Sequence, residues 1–165
     1  MKKIISLLMF LAVFVSLHAD PIPDSIDLDI MINANDFFEG ELSARLGLFW
    51  DTGDFSLGPT FGYYLGNIYG KEYMIYGIPY DGSMYFFMFG CKVYYYFTDL
   101  PWLALSADYI FSFLFDVNND SAAETLYPLG ILIGVAIGPF TGSFGVLYGD
   151  MDYSFAGTIG VRCPL

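Results

Sequence analysis

Few residues in this chain can do chemistry, and most of those that can are charged. The single histidine, His18, lies in an apolar amino-terminal segment. Beyond that segment stand four bases, Arg45, Lys71, Lys92 and Arg162, and two cysteines, Cys91 and Cys163. Asp27 and Asp29 share one face of a strand-like stretch and are the carboxylates that acid–base chemistry would use. Interior charges paired with bases is the simpler reading of both. With histidine confined to the leading segment, a Ser–His or Cys–His nucleophile and histidine metal ligation are both ruled out. The cysteines lack zinc-ligand spacing and are too few for a disulfide framework, which leaves a single bridge open. No glycine loop of the phosphate-cradling kind occurs. No catalytic residue, metal or cofactor is expected, and the chain reads as a non-enzyme.

The segment holding His18 is itself informative. Lys2 and Lys3 precede an apolar run from Ile4 to Leu17, broken only by Ser6 and Ser16, and Ala19 closes it. That order predicts a secretory signal peptide over 1–19, cleaved near Ala19. The run is shorter than the ~20 residues of a spanning helix. Residues 20–165 then make one domain. All 18 acids fall in it with four bases, a balance of 4 − 18 = −14. Such a surface repels phosphate backbones and excludes nucleic acid as a partner. High charge alone would suggest disorder, but a chain that is 56% hydrophobic and 20% aromatic must be ordered in apolar surroundings.

Alternation is the signal that positions these residues, because successive side chains of a strand face opposite sides. In Ser25–Asn35, Ile26, Leu28, Ile30 and Ile32 oppose Asp27, Asp29, Met31 and Asn33. In Glu41–Asp51, Leu42, Ala44, Leu46, Leu48 and Trp50 oppose Glu41, Ser43, Arg45, Gly47 and Phe49. Phe55–Gly66, Ser83–Thr98, Trp102–Asp116, Leu126–Gly138, Phe140–Gly149 and Tyr153–Leu165 continue the pattern, making eight runs. Each is long enough for the about 9–11 residues with which a tilted strand crosses a bilayer. The fold class is all-β: a transmembrane antiparallel up-and-down barrel of about eight strands.

The connections fall into two classes. Asp51–Asp54, Asp99–Pro101 and Gly138-Pro139 are tight turns built of turn formers. The others, 36–40, 67–82, 117–125 and 150–152, include two long ones. Short turns on one side and long loops on the other suit an outer-membrane barrel. Trp50, Phe55, Phe97, Trp102 and Phe140 flank the short turns, as an interfacial aromatic girdle should. One rival is a helix over Leu129–Tyr148, where Gly130, Gly134, Gly138 and Gly142 recur every four residues. Pro139 within that run favours a hairpin. A soluble barrel is the other rival, but it would need charges on the outer face.

The same alternation turns Arg45, Lys92 and Arg162 inward and leaves Lys71 on a loop. Charges at membrane depth face a lumen and find partners. Counting from the turns sets Lys92 opposite Asp108, Arg45 near Asp29 and, on closure, Arg162 near Asp27. Three cross-strand pairs are therefore expected to lace a lumen that also holds Phe49, Tyr64, Phe86, Tyr94 and Tyr96. They act either as a plug or as a gate that opens when the pairs rearrange; an eight-stranded interior is small, which favours the plug.

Taken together, the residues resemble the small eight-stranded outer-membrane proteins of the OmpX, OmpA-barrel and OmpW type. The most specific piece is the carboxyl end, where Tyr153, Phe155, Ile159, Val161, Cys163 and Leu165 alternate to the last residue. It looks like the strand signal read by barrel-assembly machinery, with Leu165 where that family usually has Phe or Trp. The resemblance implies a surface scaffold or interaction protein of a Gram-negative outer membrane, or a narrow channel for small or hydrophobic solutes. Outer-membrane lipid and the assembly machinery are the implied partners. The loop 67–82, with Tyr69, Tyr73 and Tyr76, and the acidic loop 117–125 are candidates for a host or environmental ligand; the first of them could equally pack on its own rim.

Overall fold

The structure, a computed structural model, describes residues 22–34, 40–67, 74–75, 78–79, 84–116, 123–148 and 153–165. Eight long strands form a closed barrel: β1 (Ser25–Ala34), β2 (Gly40–Thr52), β3 (Phe55–Asn67), β6 (Met84–Phe97), β7 (Leu100–Asp116), β8 (Ala123–Ile137), β9 (Phe140–Tyr148) and β10 (Tyr153–Pro164). Between β3 and β6, the two-residue strands β4 (Met74–Ile75) and β5 (Ile78–Pro79) pair with each other. This small ladder lies within the connection 67–82. Every barrel strand is antiparallel to the strand before it, and β1 pairs with β10 to close the sheet. Closure leaves no edge, so each strand's backbone groups find partners on both sides.

Two-residue turns set the register. Thr52 pairs with Phe55 and Ile137 with Phe140, leaving Gly53-Asp54 and Gly138-Pro139 as the loops. Gly53 and Gly138 have φ of 69° and 57°, the left-handed region that glycine enters without a Cβ penalty. Residues 129–148, the rival helix, are therefore the latter part of β8 and all of β9 with a hairpin turn between them. Among the described residues no helix is long and apolar enough to cross a membrane. Gly130 and Gly134 face the interior, while Gly142, past the turn, pairs with Val135 and Ile159 on the outer face.

The outer wall is apolar all round. Ile159 is 76% exposed and Ile133 69%, and Leu28, Phe61, Leu105, Ile131 and Phe144 are exposed with them. The wall from β3 to β6 is an aromatic ladder: Phe55–Tyr95, Phe61–Phe89 and Tyr63–Phe87 are register partners with centroids 5.1, 5.4 and 5.6 Å apart. Apolar groups outside and polar groups inside invert a soluble barrel, and that inversion belongs to a barrel that spans a membrane. The exposed acids Asp24, Asp51, Asp54 and Asp99 sit at the end bearing the tight turns.

Curvature explains the interior glycines. A Cβ on Gly58 would overlap the Leu48 carbonyl, and one on Gly145 the Ile131 carbonyl. The strands bend so tightly that a neighbouring backbone occupies the space a side chain would need.

Candidate functional site

The lumen gathers the charged side chains. Asp27, Asp29, Arg45, Lys92, Asp108 and Arg162 are all buried there, three acids balancing three bases. The ladders set Lys92 opposite Asp108, Asp29 opposite Arg45 and Asp27 opposite Arg162.

The ion pairs, however, do not follow the register. Lys92 Nζ lies 3.2 Å from Asp27 Oδ2 and 3.0 Å from Asp29 Oδ2, joining β6 to β1 across the barrel. Arg45 Nη2 lies 2.8 Å from Asp108 Oδ2, joining β2 to β7, and donates to Thr60 Oγ1 at 3.0 Å. Arg162 Nη2 reaches Asp51 Oδ1 at 3.2 Å and Ser56 Oγ at 2.6 Å. The expected pairs Lys92–Asp108, Arg45–Asp29 and Arg162–Asp27 are thus corrected to pairs between strands that are not neighbours. The physical reason is the narrowness of the barrel. Side chains opposite each other on adjacent strands both point to the axis and run side by side. A long base therefore meets head-on the carboxylate of a farther wall.

Other groups complete the layer. Tyr94 donates its hydroxyl to Asp27 Oδ2, and Thr141 Oγ1 donates to Asp29 Oδ1 at 2.9 Å. The Ser143 and Thr158 hydroxyls stand 2.6 Å apart. Asp27 and Asp29 thus hold Lys92 and hydroxyl donors, which makes them structural anions more readily than an acid–base pair. Among the described residues no cluster of metal-ligating side chains occurs.

Toward the tight turns the charges give way to rings. Phe49, Tyr94, Ala104 and Ala136 form a buried cluster with Tyr96 packed on it. The Arg162 guanidinium carbon lies 4.9, 4.5 and 5.6 Å from the ring centroids of Phe49, Tyr94 and Tyr96. Toward the long connections large apolar side chains enter the interior among hydroxyls: Ser43 and Thr158 are the register partners of Met31, and Ser112 is that of Met88. Met31 follows Asp29 on β1, Ile110 follows Asp108 on β7, and Met88 stands two interior positions beyond Lys92 on β6. With Leu132 and Leu147 they are fully buried. Gly130 gives room for Leu147 and Ile110, and Gly62 for Met88.

This apolar layer is the feature that the sequence reading missed. The signal was present: Met31, Met88, Ile110 and Leu132 interrupt the polar face of their strands at positions near the charged residues.

The girdle residues all lie near the turn end. Phe55, Trp102 and Phe140 are exposed there, and Trp50 and Phe97 are half-buried. Cys91 and Cys163 are free thiols on the non-adjacent strands β6 and β10. Tyr69, Tyr73 and Tyr76, most of the loop 67–82, and the first part of 117–125 lie outside the described residues, as does the segment 1–19. So do the side chains of Tyr64 and Phe86.

No protein-family profile matches the chain, and no curated protein matches it. Among solved structures the chain is similar to the amino-terminal β-barrel domain of Pseudomonas aeruginosa OprF, at 16% identity, covering 86% of this chain and 98% of that one, with a TM-score of 0.45. It is similar to Neisserial surface protein A at 14% identity, with 86% and 95% covered and a TM-score of 0.49. It is also similar to the Yersinia pestis outer membrane protein Ail in a phospholipid nanodisc, at 13% identity, with 85% and 99% covered and a TM-score of 0.47.

Proposed function

We propose that this chain is a non-enzymatic barrel of a Gram-negative outer membrane, exported with residues 1–19 removed, whose lumen is plugged and whose loops serve as a surface scaffold. The observation that carries this reading is the set of ion pairs that cross the barrel. Lys92 bound to Asp27 and Asp29, and Arg45 bound to Asp108, are struts through the space that a permeant solute would need. Breaking a buried pair strands a charge, so struts of this kind resist removal. Function then falls to what the barrel holds above the membrane: the loops 67–82 and 117–125, with Tyr69, Tyr73 and Tyr76 as contacts for a host or environmental ligand. Outer-membrane lipid surrounds the wall, and the carboxyl-terminal strand engages the assembly machinery.

Single-channel recording of the refolded protein tests the plug. A silent bilayer is expected, and steady stepwise current would overturn the reading. Cell fractionation with heat-modifiable gel mobility tests location and barrel together.

One observation favours the second reading, a narrow channel gated by its charges. Arg162 Nη1 and Asp27 Oδ1 belong to register partners, and both are buried without a hydrogen bond. An alternative pairing along the wall therefore has a donor and an acceptor ready. Current that appears only on a shift in voltage or salt would favour this reading over the permanent plug.

A further inference from the structure

We propose that the lumen is closed by two seals in series, with the charged network enclosed between them, and that neither the ion pairs nor one seal alone is the barrier. The inference deepens the plugged reading above and rests on it. The loop-side seal is the packed layer of Met31, Met88, Ile110 and Leu147, with the buried hydroxyls of Ser43, Ser112 and Thr158 beside them. The turn-side seal is the Arg162 guanidinium stacked among Phe49, Tyr94 and Tyr96.

Each layer excludes water by packing. The loop-side layer fills its section with side chains at most 3% exposed, which leaves a hydrated ion no space to enter. The turn-side layer fills its section with three rings and the Arg162 cation among them, held by Asp51 at the rim and by buried Ser56. Between the two lie Asp27, Asp29, Lys92, Arg45 and Asp108, each at most 4% exposed. Hydroxyls occupy the same depth: Thr60 accepts from Arg45, and Thr141 donates to Asp29. An ion arriving from the loop end meets this packed loop-side layer before it reaches Arg45, Lys92 or the three buried aspartates. One arriving from the turn end meets the rings and Arg162 first. The charged layer gains from this enclosure, because attraction between its members is weakened where water enters.

The test reads access to the enclosed layer from each end. Thr60→Cys places a thiol there in a background of Cys91→Ala and Cys163→Ala, and Thr52→Cys at the turn end reports orientation in vesicles. A membrane-impermeant methanethiosulfonate is the probe, and heat-modifiable mobility selects folded protein. With both seals intact, the thiol of Thr60→Cys should stay unlabelled from either side; labelling there would overturn the plugged reading itself. Met88→Ser with Ile110→Ser should admit reagent from the loop end only. Phe49→Ala should admit it from the turn end only. Either single opening should leave the bilayer silent, and the combination should give stepwise current. Current through one opening alone, or labelling from the wrong end, would overturn the series arrangement while leaving the plug intact. If the combined variant does not fold, the sided labelling of the two single openings decides the matter.

Discussion

Lys92 stands directly opposite Asp108 in the β6–β7 ladder yet gives its ammonium to Asp27 and Asp29 on the far wall. Register and ionic partner are therefore separate facts in this barrel, and a double-mutant cycle distinguishes them. Lys92→Met should destabilise the barrel by about 3–5 kcal/mol, because it leaves two buried carboxylates uncompensated. Adding Asp27→Asn and Asp29→Asn to Lys92→Met should recover part of that loss. Urea unfolding in lipid vesicles should give a coupling of order 1 kcal/mol or more between Lys92 and Asp29, and a smaller one between Lys92 and Asp108. A stronger coupling to Asp108 would show that the pairs run along the wall.

The interior glycines differ from the outward ones in what a methyl group would meet. Gly58→Ala drives a Cβ into the Leu48 carbonyl, whereas the nearest atom to a Cβ on outward Gly142 is the Thr158 carbonyl oxygen at 3.7 Å. Gly58→Ala should cost about 1–3 kcal/mol or block folding, the usual penalty for overpacking. Gly142→Ala should stay close to the parent. Equal unfolding midpoints for the two variants would mean that β2 and β3 can part without cost.

The turn glycine Gly138 isolates backbone strain. Nothing lies within 4 Å of a Cβ built there, so Gly138→Ala meets no steric obstacle and only its φ of 57° is unfavourable. A loss of about 1–2 kcal/mol is expected from forcing a Cβ into the left-handed region. Gly138→Asn should lose less, since asparagine tolerates that region better. Measuring both by urea unfolding checks the ranking, and an alanine variant as stable as the parent would contradict it.

How much of this was legible in the sequence depends on what each feature needs. Eight strands were legible because lipid on one side and a lumen on the other impose opposite demands on alternate residues, as Leu28, Ile30 and Ile32 against Asp27, Asp29 and Met31 show. Register was legible where a turn is short, hence Lys92 opposite Asp108. Ionic partners were not, because Asp27 and Lys92 meet only after closure brings β1 and β6 face to face. The irregularities at Leu42/Ser43, Tyr96/Phe97 and Ile110/Ser112 also escaped, since a one-residue bulge leaves the local alternation almost unchanged. The apolar layer was written in Met31 and Ile110, but single apolar residues on a polar face gain meaning only when several strands are placed at one depth.

Orientation in the membrane can be read directly. With the tight turns toward the periplasm, cysteines introduced in 67–82 or 117–125 should react with an impermeant reagent added to intact cells. Cysteines at Thr52 or Leu100 should react only after the outer membrane is opened. The reverse pattern would show the barrel to be inserted the other way up and would remove the loops from the cell surface.

Arg162 permits a sharper separation of charge from shape. Its ionic partner Asp51 is half exposed, with 52% of its side chain in solvent, so that pair contributes little: about 0–1 kcal/mol is usual for such a bridge. Its three ring contacts lie in the buried section, where a desolvated cation–π contact contributes roughly 2 kcal/mol. Arg162→Lys keeps the charge but loses the planar guanidinium that sits among the rings. The lysine variant should therefore fall by more than Asp51→Asn, even though Asp51→Asn abolishes the ion pair completely. Urea unfolding of the two variants side by side makes the comparison, and Arg162→Met adds the loss of charge. If Asp51→Asn proved the costlier change, Arg162 would be held by its carboxylate, and the turn end of the lumen would owe its closure to the rim.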